Sequence, residues 1–122
     1  MTERISEAEW QVMEVLWAAE GPMAAQDVAA GLASTGWTLA TVKTLLSRLA
    51  VKGALASEAE GRRFLYRAAI ARADVAGQDA LKLVDRLFGG RATPLVAHMA
   101  ERGALSADDI AELEALIAEL KA

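Results

Sequence analysis

The stretch TVKTLLSRLAVKG, residues 41–53, sets the cations Lys43, Arg48 and Lys52 among the hydroxyls of Thr41, Thr44 and Ser47. Ammonium and guanidinium groups neutralise phosphate oxygens, and short hydroxyls hydrogen-bond phosphates or base edges. Laid on a helix, Leu39, Val42, Leu45, Leu46 and Leu49 form an apolar stripe, with Lys43, Thr44, Ser47, Arg48 and Lys52 outside it. Arg62 and Arg63 add two cations at the end of an acidic turn, Glu58 to Gly61. A solvated helix face is the plain alternative for the first group, and protection of a strand edge for the second. Position favours nucleic acid: the third helix of a three-helix-plus-hairpin order is the one that can enter a major groove, its N-terminal half nearest the bases. Arg62 and Arg63 then serve as sequence-blind, salt-sensitive phosphate contacts, which Glu58 and Glu60 oppose unless they point away.

The charge distribution agrees. Formal net charge is -4 overall. Residues 36–67, however, hold Lys43, Arg48, Lys52, Arg62, Arg63 and Arg67 against only Glu58 and Glu60. The flanking segments are acidic, the first setting Arg4 alone against Glu3, Glu7, Glu9, Glu14, Glu20 and Asp27. Screening limits each charge to roughly 8–10 Å, so a basic block can hold a polyanion within an acidic chain.

Other chemistry is sparse. There is no cysteine, and the single His98 cannot form a ligand cluster alone, so no metal site and no cofactor are expected. No nucleophile–base constellation or phosphate-binding glycine loop is present, which argues against an enzyme. Trp10, Trp17 and Trp37 could stack on single strands, but their helical or turn-side spacing places them in the core, and Tyr66 packs from a strand.

The elements that must position the basic block can be read from caps and periodicity. Ser6 with Glu9 makes a capping box for a first helix carrying Trp10, Val12, Met13, Leu16 and Trp17. That helix is expected to stop at Gly21 and Pro22, with Gly21 left-handed. A second runs from about Ala25 to Ser34, with Val28, Ala29 and Leu32 inward. The third is capped by Thr38, reaches about Lys52 and ends at Gly53. Leu55 leads into a β-hairpin in which Phe64 and Tyr66 alternate with Arg63, Leu65 and Arg67. Thereafter the pattern is helical: 72–88, stopped by Gly89 and Gly90; a short helix with Thr93 as cap and Pro94 first; and a last one after Ser106.

The fold class is therefore mainly α with a small β-hairpin wing, a winged helix-turn-helix over residues 1–69 and a C-terminal helical dimerisation segment over 70–122. Leu81, Val84, Leu87, Phe88, Leu95, Val96, Ile110, Leu113, Leu116, Ile117 and Leu120 offer more apolar surface than some 55 residues can hide, which calls for a second copy of the chain. An acidic N-terminus and the lack of a long apolar run point to a cytoplasmic protein without membrane insertion. A winged-helix module that docks an acidic protein partner without DNA is the rival reading. A non-specific nucleoid protein is a weaker third.

The segments ISEAEWQVMEVLW, WTLATVKTLLSRLAVKGAL, GRRFLY, LVDRLFGG and LSADDIAELEALIAEL, in this order and spacing, resemble the penicillinase repressor family, the BlaI/MecI/CopY group of bacterial transcriptional regulators. The resemblance covers Ile5 to Leu120. It implies a dimeric winged-helix repressor on double-stranded operator DNA with dyad TACA/TGTA-type half-sites. The reading helix carries over to Thr41, Lys43 and Thr44, with Arg48 on phosphate, and the wing contact to Arg62. It also implies relief by proteolysis near His98 and Met99, in PLVAHMAE, triggered by a membrane sensor metallopeptidase. The C-terminal cysteine motif of the copper-responsive branch is absent here, and Ala24 and Ala25 stand where many relatives place a capping Thr.

Overall fold

The structure is a computed structural model describing residues 4–122. Glu3, counted above in the acidic N-terminal block, lies outside the described residues. Two compact units divide the chain, one ending at Val75 and the other comprising Ala76–Ala122.

In the first unit, α1 spans Glu7–Ala18, β1 Met23–Ala24, α2 Ala25–Gly31, α3 Leu39–Val51, β2 Leu55–Glu60 and β3 Arg63–Ala68. The Ser6–Glu9 capping box is formed, each side chain accepting the other residue's backbone N–H. The end of α1 differs from expectation. The chain turns extended at Ala19, and Gly21 is not among the left-handed glycines. The reason is tertiary: after Pro22, Met23 and Ala24 must be extended to pair with Tyr66 and Leu65 of β3. A two-residue strand shows no alternation, so β1 was invisible in the sequence.

Helix α2 is shorter than expected, giving way to a 3-10 turn at Ala33–Thr35. Its last residue, Gly31, lies so close to α1 that an added Cβ would sit 3.0 Å from a Val15 methyl. Thr38 caps α3, its hydroxyl accepting the Thr41 N–H at 3.2 Å. One face of α3 is entirely internal: Val42, Leu45, Leu46 and Leu49 join Val12, Met13, Leu16 and Val28 in the core. Each such side chain removed from water contributes about 1.5–3 kcal/mol, enough to fix which side of α3 faces out.

The sheet is antiparallel in the order β1-β3-β2. Glu60 pairs with Arg63, leaving the two-residue turn Gly61-Arg62. Gly61 has φ +64°, the conformation a tight hairpin demands at its first central position.

The first unit runs six residues past the expected boundary at 69, because the chain after β3 is tied to α1. Trp17 Nε1 donates to the Ile70 carbonyl at 2.9 Å, and Arg72 Nε donates to Glu14 Oε1 at 2.7 Å. The Arg72 guanidinium also lies 5.6 Å from the Trp10 ring centroid, and Trp10 meets Trp17 edge to face at 5.2 Å. Val75 is buried with the core. The tryptophans thus serve packing, as their spacing suggested.

Helix α4 spans Arg72–Phe88 and so begins in the first unit; α5 is Ala92–Glu101 and α6 Ala107–Lys121. Gly89 and Gly90 are left-handed, and the Gly90 N–H returns to the Val84 carbonyl, closing α4. Thr93 is not the cap of α5. The cap position is Arg91, without a side-chain hydrogen bond. Pro94 falls third in the helix, tolerated because N–H groups of a first turn have no intrahelical partner anyway. Ser106 and Asp109 form a second capping box at α6, and these hydrogen bonds hold the Asp109 carboxyl below its ordinary pKa.

Candidate nucleic-acid interface

With its apolar face buried, α3 presents Thr41, Lys43, Thr44, Ser47 and Arg48 to solvent. Their local bonding limits what each can do. Thr44 Oγ1 donates to the Ala40 carbonyl at 3.0 Å, so the hydroxyl offers outward its lone pairs and methyl group. The Thr41 and Thr38 hydroxyls lie 3.1 Å apart, one donating to the other. Among the described residues, Lys43, Arg48 and Arg62 make no ion pair, leaving their charges for an external anion.

Lys43 faces the hairpin. Together with Arg62, Arg63, Phe64 and Tyr66 and residues 24–26, where β1 gives way to α2, it lines a groove of about 540 Å³. The helix and wing cations, 19 or 20 positions apart in sequence, thus line one concave surface. Ala24 supplies no side-chain cap to α2, in keeping with the missing Thr. Ser47 and Arg48 lie elsewhere, beside the exposed Val51 on a second, shallower depression of about 400 Å³. Arg63 is partly neutralised by Glu60 at 2.9 Å, an exposed pair worth at most about 1 kcal/mol.

Lys52 corrects the sequence reading. Instead of pointing outward, its Nζ lies 2.6 Å from Glu9 Oε1 and donates to the Arg4 carbonyl at 2.8 Å. The partner carboxylate is almost wholly buried. Burial pushes the Glu9 carboxyl up, but the Lys52 ammonium and the hydrogen bonds with Ser6 outweigh it and hold it below the ordinary value. Glu9 is legible in the sequence only as a cap, because its second partner lies 43 positions away. Phe64, which the sequence placed only within the alternating hairpin, is 55% exposed and lines the groove.

In the second unit, Leu81, Leu87, Val96, Ile110, Leu116, Ile117 and Leu120 are exposed, Phe88, Leu95 and Leu113 are half-buried, and Val84 is already buried within the chain. His98 and Met99 lie exposed within α5. Among the described residues there is no group of side chains that could hold a metal, and no helix long and apolar enough to cross a membrane.

The family model for the penicillinase repressor matches residues 5–119. The penicillinase repressor of Bacillus licheniformis is 33% identical over 97% of this chain and 92% of its own length. The methicillin resistance regulatory protein MecI of Staphylococcus aureus is 27% identical over 95% of this chain and 94% of its own. Among solved structures, the monomeric form of Bacillus licheniformis BlaI in complex with the blaP half-operator superposes with TM-score 0.51 at 37% identity, covering 61% of this chain and 90% of that one. The winged-helix unit, the outward basic face of α3 and a family match over nearly the whole length lead to one conclusion: the chain belongs to the penicillinase repressor family, whose members are transcriptional repressors and not enzymes.

Proposed function

We propose that this chain represses transcription as a homodimer that binds a dyad operator, α3 in the major groove and the β2–β3 hairpin on the flanking backbone. The observation that carries this reading is the division of α3: its apolar face is buried in the core, while Thr41, Lys43, Thr44, Ser47 and Arg48 face solvent. BlaI, similar to this chain in its winged-helix part, is seen on a half-operator. The exposed apolar side chains of α4, α5 and α6 support self-association. Two copies held there present two reading helices to half-sites about 34 Å or a multiple of that apart. Base readout by Thr41 and Thr44 supplies preference, and Lys43, Arg48 and Arg62 supply affinity.

Release follows from the same design, since one copy alone makes too few contacts for tight, specific binding. Cleavage at His98–Met99 by a sensor metallopeptidase would cut α5, a ten-residue helix with no side-chain cap and so inexpensive to open locally. The test is titration of dyad and single half-site duplexes with the full chain at several salt concentrations. Affinity should fall steeply with salt and be much weaker for one half-site. Indifference to salt, or equal affinity for both duplexes, would defeat the reading.

A further inference from the structure

Phe64 is an aromatic side chain left in the open on a strand face whose other residues, Tyr66 and Ala68, pack inward. Register explains why. Tyr66 and Ala68 share its face of β3, and both pack against the core. Phe64 lies one step further out, opposite the small Ala59, which cannot cover it. It is 55% exposed, and its groove neighbours include Lys43 of α3 and Arg62 and Arg63 of the wing. An apolar ring among cations that seek phosphate cannot itself face phosphate oxygens. The apolar surface that alternates with phosphates along a nucleic-acid strand is the C–H face of the sugar.

We propose that Phe64 packs against deoxyribose of the strand whose phosphates Lys43 and Arg62 neutralise, as a further DNA-contact residue that sets a salt-independent part of the affinity. The inference rests on the DNA-binding reading above and assigns within it a role separable from charge. Cations contribute through counterion release and so set the slope of log K against log salt, whereas burial of a ring does not.

The experiment uses the full chain and the best duplex it selects from a random pool. Phe64→Ala should weaken binding about tenfold at every salt concentration with the slope unchanged, as expected for losing roughly half the burial of a Phe ring. Phe64→Leu should recover most of that loss. Arg62→Ala should instead lower the slope by about 0.9. Thermal midpoints of the Phe64 variants should stay within a few degrees of the parent, since an exposed ring adds little to the core. Parent-like binding by Phe64→Ala, or an affinity loss that tracks lost stability, overturns the assignment while leaving the DNA reading intact. Failure of the parent chain to select any duplex overturns both.

Discussion

Glu9 Oε1 accepts both the Ser6 backbone N–H, at 2.9 Å, and the Lys52 ammonium, at 2.6 Å. One carboxylate oxygen therefore caps the start of α1 and anchors the C-terminal end of α3. The helix proposed to read DNA is braced against the N-terminal helix by a charge pair set at the edge of the core. Side-chain exposure is 16% for Lys52 and 3% for Glu9, so the pair is shielded from the screening that weakens surface ion pairs.

Lys52→Met should destabilise the first unit by about 3 kcal/mol, because it strands a buried carboxylate whose Oε2 already has no partner among the described residues. Adding Glu9→Gln should recover part of the loss by removing the stranded charge. Urea denaturation of the single and double variants measures both. A loss below about 1 kcal/mol for Lys52→Met would show that the pair does not brace α3.

Acid should weaken the protein through the same group. The Glu9 carboxyl is held below its ordinary value in the folded chain, so the stabilisation is complete above that value and disappears as pH falls through the folded pKa. Thermal midpoints recorded from about pH 6 to pH 3 should decline below the mid-4s, and Glu9→Gln should show a shallower decline. Parallel curves for parent and variant would exclude Glu9 as the source.

Charge and readout on α3 should separate in binding. Lys43→Ala and Arg48→Ala should each lower the slope of log K against log salt by about 0.9 without altering the preferred sequence. Thr44→Val keeps the shape but removes the outward lone pairs. It should change the preferred base at one position by about 1–3 kcal/mol with a modest loss of total affinity. Selection from a random pool distinguishes these outcomes, and an unchanged preference for Thr44→Val would remove Thr44 from the reading surface.

The apolar side chains of the second unit provide the test of self-association. Leu116 and Ile117 are about half exposed and Leu120 is 81% exposed. Ile117→Glu with Leu120→Glu should convert the proposed dimer to monomer in sedimentation and lower affinity for a dyad duplex at least tenfold. The salt slope for a single half-site should stay the same. A double variant that remains dimeric would place the interface elsewhere.

Much of this molecule is written locally in its sequence. The Ser6–Glu9 capping box, the Thr38 cap, the apolar face of α3 and the glycine stops of α3 and α4 depend on residues three to six positions apart, and each formed as read. Such signals work because cap hydrogen bonds and helical faces are closed within a turn or two of the chain. What only the tertiary structure decided are relations between distant segments. Lys52 reaches Glu9 across 43 positions, and Trp17 reaches Ile70 across 53. The extended run at Met23–Ala24 exists because β3 is there to pair with it, and Phe64 is exposed because the core ends one register step before it. Helical periodicity states which side of α3 is polar. Which of those polar groups is drawn inward depends on a buried carboxylate contributed by another helix, and no spacing within α3 carries that information.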